Sequence, residues 1–253
     1  MKNNELEIKE EYEFFQYPKT FDQLRRKYAH DYGLFGNLER GRAILKTEEE
    51  LNQYLFSYGK MHEAKLEECC KVFFDNIAIP RQKRIEIIDY ACGQGLASIV
   101  CLNYLKNSSG FPIENINKIT LIDPGTIAIK RASKVLENSS NLQLVNKELD
   151  ELLKGDLVTG TNSIKIHLFS NILDMGNDYF NLQQLSQKIS GSHRCMNYFI
   201  CVSALGKTKL DFFMKSFSNY SGYKNISSFD GEFDQPWKNN PWKIVFNLFK
   251  VEF

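Results

Sequence analysis

Two acids, each set at the end of an apolar run, have the surroundings to do chemistry. Asp89 opens the turn Asp89-Tyr90-Ala91-Cys92-Gly93-Gln94-Gly95, and Asp123 closes the run Leu121-Ile122-Asp123, with Pro124 next. Glycines let a backbone turn tightly and let a ligand come close to it. Where the ends of parallel strands open a crevice, such a turn is a place for a nucleotide-like ligand. The dinucleotide fingerprint GxGxxG, which seats a pyrophosphate on a helix N-terminus, fits poorly. Ala91 stands at its first glycine position, and Leu96-Ala97-Ser98 follow Gly95. A nicotinamide-type oxidoreductase is therefore disfavoured. An acid at the start of the turn suits a ligand with a cationic amino-acid end better than one with a pyrophosphate. Asp123 can accept hydrogen bonds from both hydroxyls of a ribose. Its competing role is to cap a helix beginning near Thr126.

The turn resembles motif I, usually DxGxGxG, of the class I S-adenosylmethionine-dependent methyltransferases. It matches at Asp89, Gly93 and Gly95 and departs at Ala91. The resemblance spans roughly residues 84–205, where the elements match in order and spacing. It implies S-adenosyl-L-methionine as cofactor, held by Asp89, Ala91, Gly93, Gly95, Asp123 and Pro124. It also implies a polar residue near the adenine, for which Glu148 is the candidate and Asn146 the reserve; a solvated loop charge is the other reading of Glu148. Ser170-Asn171-Ile172-Leu173-Asp174 falls at motif IV, where methyl group and acceptor meet. Asn171 and Asp174 are thus the catalytic candidates, and Asn171 also touches the cofactor side. Asp174 acts there as a general base or acceptor-orienting group, or it only caps the next helix. Neither the NPPY form of amino-group DNA methyltransferases nor a Pro-Cys nucleophile is present.

These residues need a frame that brings them together. Short apolar runs at 85–90, 118–123, 142–146, 164–170 and 198–205 read as strands, and 96–106, 126–137 and 178–189 read as helices. Alternation of this kind means βαβ units and a mainly parallel sheet. Runs at 226–229 and 243–253 read as an antiparallel C-terminal hairpin. The expected fold is a doubly wound α/β domain, residues 83–253, with a seven-stranded sheet and helices on both faces. Residues 1–82 read as a helical extension or lid. Thr47 and Glu50 form a capping box, and Leu51, Tyr54, Leu55, Tyr58, Met61, Leu66, Cys69, Val72 and Phe73 follow at helical spacing. Tyr28, His30, Tyr32, Arg40 and Arg42 are the candidate lid residues. His62 is a tempting base, although a lone helix histidine is more often a packing residue. The aromatics Tyr12, Phe14, Phe15, Tyr17, Phe21 and Phe35 show no clean period and read as short helices and loops.

Composition narrows the function classes. Hydrophobic residues make up 43% of 253, enough to bury a core, and the formal net charge is +1. A near-neutral chain has no global field for nucleic acid, which leaves a local patch open. Cys69, Cys70, Cys92, Cys101, Cys195 and Cys201 form neither a CxxC pair nor a zinc spacing and read as reduced thiols. The polar start, MKNNELEIKE, and the absence of an eighteen-residue apolar run give the expectation of a cytoplasmic protein without a membrane partner. The expected activity is methyl transfer to an unidentified acceptor. The alternative is an inactive methyltransferase-like module that binds a protein or RNA partner.

Overall fold

A computed structural model of the chain describes residues 31–107, 110–137, 141–233 and 241–253. The candidate lid residues Tyr28 and His30, and the aromatics from Tyr12 to Phe21, lie outside them.

Seven strands form one sheet: β1 (Ile85–Tyr90), β2 (Ile116–Ile122), β3 (Leu142–Val145), β4 (Ile164–Ser170), β5 (Met196–Ser203), β6 (Lys224–Phe233) and β7 (Trp242–Glu252). Their order is β3-β2-β1-β4-β5-β7-β6. The first five pair in parallel, and β7 runs antiparallel to both β5 and β6. β1 is buried at all six positions and β4 at six of seven, as expected of strands covered on both faces. The strand order reverses between β1 and β4, so the crevice for a ligand opens at their carboxyl ends.

Helices α1 (Glu48–Tyr54), α2 (Lys60–Asn76), α3 (Leu96–Asn107), α4 (Thr126–Val135), α5 (Leu182–Ser192) and α6 (Lys207–Lys215) surround the sheet. On one face Leu66, Cys69 and Phe73 of α2 pack with Ile87, Leu121 and Ile166. On the other, Phe169, Phe199, Phe213, Phe217 and Phe249 form an aromatic core, with Phe199 and Phe249 stacked at 4.4 Å. A smaller cluster of Leu38, Leu45, Leu51 and Ala128 fastens the segment before β1 to α4.

Several boundaries differ from the sequence reading, each for a local reason. The capping box at Thr47 forms, its hydroxyl accepting from the Glu50 N–H at 3.2 Å. The helix it starts is then interrupted by a π-helical turn, Leu55–Gly59. The helix expected from residue 178 begins instead at Leu182. Asn177 takes a left-handed φ of 64°, and Asn181 caps the helix by accepting from the Gln184 N–H at 2.9 Å. Helix α6 was not anticipated; Leu210, Phe213 and Met214 give it an apolar stripe at helical spacing, buried against the aromatic core together with Phe217 just past its end.

Candidate functional site

The turn after β1 is held from below. Asp89 is fully buried, and one carboxylate oxygen accepts from the Ser98 N–H at 3.1 Å and the Ser98 hydroxyl at 2.7 Å. Its other oxygen, Oδ1, has no hydrogen-bond partner among the described residues. Burial pushes its carboxyl up to about 7, against the pull of the Ser98 bonds. Above it, Ala91, Gly93 and Gly95 all take left-handed φ values, 54°, 52° and 83°. The two glycines do different things. A Cβ on Gly95 would sit 3.1 Å from the Ala132 Cβ, so this glycine lets α4 approach. A Cβ on Gly93 would meet nothing within 4 Å, because Gly93 lines a cavity.

Asp123 closes the next side of that cavity. One of its oxygens accepts from the Gly93 N–H and the other from the Gly125 N–H, both at 2.8 Å. Burial raises its carboxyl, opposed by those two N–H groups. The N-cap position of α4 is Gly125, without a side-chain cap. Asp123 therefore ties the two loops together and, lining the cavity, presents its remaining lone pairs there. Asn146 is committed to bracing the same loop: its Nδ2 donates to the carbonyls of Asp123 and Pro124, and its Oδ1 accepts from the Thr126 hydroxyl. Pro124 and Glu148 line the cavity; the Glu148 residue is exposed.

At the end of β4, Asn171 has a φ of 56°. Its N–H donates to the Val202 carbonyl at 2.7 Å and its Nδ2 to the Ser170 hydroxyl at 3.1 Å, while Oδ1 is buried without a partner among the described residues. Asn171 lines the cavity; Asp174 does not. Asp174 sits over Gly206, where a Cβ would come within 2.5 Å of its own Cβ. Burial raises its carboxyl, against Ser203, Arg42 and Lys209.

The cavity measures about 770 Å³, within the range of small-molecule and cofactor sites. The strand ends form one wall, and residues between Asn37 and Tyr54 form the other. Gln94 fastens the two: its Nε2 donates to the Leu51 carbonyl at 3.0 Å, and its Oε1 accepts from Arg131 at 2.9 Å. Arg131 also forms an ion pair with Glu48 at the start of α1. Sequence reasoning gave Gln94 no such task, since a motif position does not show what its side chain meets. Tyr54 was seen only as one of an apolar series, yet it lines the cavity with its hydroxyl 3.4 Å from His62 Nδ1. Burial first, then the charge of Lys65, pushes His62 down to about 3. Of the described lid candidates, Arg42 lines the cavity, Arg40 sits in a left-handed turn at φ 58°, and Tyr32 is exposed. Among the described residues no group of His, Cys, Asp and Glu is arranged to hold a metal ion, and no helix is long and apolar enough to cross a membrane.

The sheet order is that of the class I methyltransferase fold. Among solved structures, the chain is similar to the N-methyltransferase NodS from Bradyrhizobium japonicum WM9, with a TM-score of 0.50 at 8% identity over 78% of this chain and 97% of that one. The same protein in complex with S-adenosyl-L-homocysteine gives a TM-score of 0.50 at 9% identity, over 91% and 97%. A methyltransferase from Leishmania major covers 85% of this chain and 81% of that one, with a TM-score of 0.49 and 9% identity. No family model and no curated protein matches the sequence.

Proposed function

We propose that this chain is an S-adenosyl-L-methionine-dependent methyltransferase. The observation that carries the reading is one cavity lined together by Gly93, Asp123, Glu148 and Asn171, under a cover of residues 37–54. When bound, the cofactor supplies an electrophilic methyl group on a sulfonium. The residues fit it. Gly93 leaves room for a close approach, and Asp123 has lone pairs for ribose hydroxyls. Glu148, which lines the cavity, is proposed to serve the adenine end. Asn171 lines the cavity, and among the described residues its buried Oδ1 has no hydrogen-bond partner, which suits a place near the acceptor. Asp89 and Gly95 support the turn from outside the cavity, so their part is to hold Gly93 in place. Asp174, seated behind the β4 turn, is proposed to orient the acceptor side.

The cover holds the acceptor close and keeps water out, which is the main help a methyl transfer needs from protein. The buried free thiols suit a reducing compartment, which we propose is the cytoplasm. The test is a search for product: purified protein, cell extract and cofactor carrying an isotopically labelled methyl group, analysed by mass spectrometry. A labelled product that depends on the protein and is lost in Asn171→Ala supports the reading. Cofactor binding without any labelled product favours the binding-module alternative.

A further inference from the structure

His62 does not itself line the cavity, but Tyr54 does, and the Tyr54 hydroxyl lies 3.4 Å from His62 Nδ1. The two residues are eight apart, which in a regular α-helix sets them about 80° apart around the axis. The π-helical turn Leu55–Gly59 lies between them. A π turn holds one residue more than an α turn, so the spacing becomes that of two full turns and both side chains share a face. Their rings meet edge to face at 5.9 Å, and the ring of Tyr58 stacks on His62 at 6.0 Å. The cavity side of Tyr54 is shaped by Gly41, itself a cavity residue at φ 88°. A Cβ on Gly41 would sit 3.4 Å from Tyr54 Cε2 and 3.8 Å from the hydroxyl oxygen. Glycine keeps that side of the phenol free of a side chain. One turn before Tyr54, the Leu51 carbonyl is fastened by Gln94, so this end of α1 is held against the turn that bears Gly93.

We propose that the methyl acceptor is a hydroxyl compound whose O–H donates to Tyr54 Oη, while the Tyr54 hydroxyl donates to His62 Nδ1, so that the pair takes the acceptor's proton. The proposal rests on the methyltransferase reading of the same cavity. An amine needs no such pair: it attacks with its own lone pair, and the ammonium it becomes keeps its proton. A hydroxyl must give its proton up, because a protonated ether is a strong acid. In the step, the acceptor oxygen bonds to the methyl carbon as the carbon–sulfur bond breaks and leaves its electron pair on sulfur. The acceptor's proton passes to Tyr54 Oη, the Tyr54 proton passes to His62 Nδ1, and the imidazolium later releases it to water. Tyr54 is the catalytic residue, and His62 is a positioning residue that acts through it. Burial pushes the Tyr54 hydroxyl up, which keeps it a donor, and burial first, then Lys65, holds His62 down to about 3. Even so lowered, the imidazole is a far stronger base than an ether oxygen, and it is too weak to deprotonate an alkylammonium.

The first test needs no acceptor. Nitrogen NMR of the full chain, isotopically labelled at histidine and with S-adenosyl-L-homocysteine added, should show His62 Nδ1 unprotonated and hydrogen-bonded. Tyr54→Phe should move that resonance. A proton on Nδ1, or a resonance that Tyr54→Phe leaves in place, overturns the proposal. The second test follows labelled methyl transfer in cell extract. The product that depends on the protein should carry the label on oxygen. Tyr54→Phe and His62→Asn should each lower its formation about 10²-fold, as for the loss of an acid–base group, and keep the affinity for S-adenosyl-L-homocysteine. Asparagine can still accept the Tyr54 hydroxyl but holds no proton, so normal turnover in His62→Asn would overturn the proton path. Label on nitrogen, carbon or sulfur, or product lost only in proportion to ligand binding, overturns it as well. No calorimetric heat with S-adenosyl-L-homocysteine, or heat without any labelled product, counts instead against the methyltransferase reading, and the acceptor assignment falls with it.

Discussion

Single residues divide the site into those that face the ligand and those that hold them. Ala91 is the informative departure from the glycine pattern: it sits at φ 54°, where a Cβ crowds the backbone and the left-handed form costs about 1–2 kcal/mol. Ala91→Gly should therefore raise unfolding free energy by about 0.5–1 kcal/mol after the extra chain entropy is counted, as read from urea denaturation. A loss of stability there would show that the Ala91 methyl makes a packing contact worth more than the strain. Asp123→Ala should weaken S-adenosyl-L-homocysteine binding by about 1.5–3 kcal/mol, the range for hydrogen bonds to a charged group. Because Asp123 also receives the Gly93 and Gly125 N–H groups, stability should fall with it by about 1–3 kcal/mol. Normal calorimetric affinity in the folded variant would confine Asp123 to bracing. The glycines and both acids were legible in the sequence because spacing after an apolar run marks them. That Asp89 points down to Ser98 and Gly95 packs on Ala132 was not legible, since a motif gives positions and not directions.

The elements were legible in proportion to how local their signals are. β1 and β4 were read to the residue, each a short isoleucine-rich run bounded by turn residues. The helix after β4 was placed early, because Asp178 and Asn181 are both good caps and only the turn at Asn177 chooses between them. α6 escaped because its stripe, Leu210 to Met214, is short and stands among lysines and serines. The cover is the largest element-scale result: its residues carry no family signal, yet they form a wall of the cavity. Its docking rests on Gln94, which joins the glycine turn to α1 and α4. Gln94→Leu should cost about 1–3 kcal/mol of stability for the buried hydrogen bonds lost. It should also speed hydrogen exchange in residues 48–54 more than in β1 and β4. Uniform exchange across all three segments would mean that the cover is fastened elsewhere.

At the scale of the whole molecule, burial of histidine ties stability to pH. His193 is fully buried, with its Nδ1 3.1 Å from the Thr159 hydroxyl and its ring 4.8 Å from that of His167. Burial, reinforced by neighbouring cations and His167, pushes His193 down to about 2, and His167 is held at about 3. The folded state therefore binds these protons less readily than the unfolded chain, whose histidines titrate near 6.5. Their stabilisation is complete above that pH and is lost as pH falls below it. Asp89, raised to about 7, works the other way, gaining stability as pH falls from about 7 towards 4. The difference between parent and His193→Leu isolates one group. Relative to the variant, the parent should lose about 1.4 kcal/mol per pH unit below 6.5. Parallel stability curves from pH 6.5 to 4 would mean that His193 is protonated in the fold.

All of this serves one claim, that the cavity at the ends of β1, β2 and β4 is an S-adenosyl-L-methionine site, and isothermal calorimetry tests it most directly. Purified protein should bind S-adenosyl-L-methionine and S-adenosyl-L-homocysteine one to one, more weakly in Asp123→Ala, with no comparable affinity for NAD. No heat with either adenosyl ligand, together with clear binding of NAD, would contradict it.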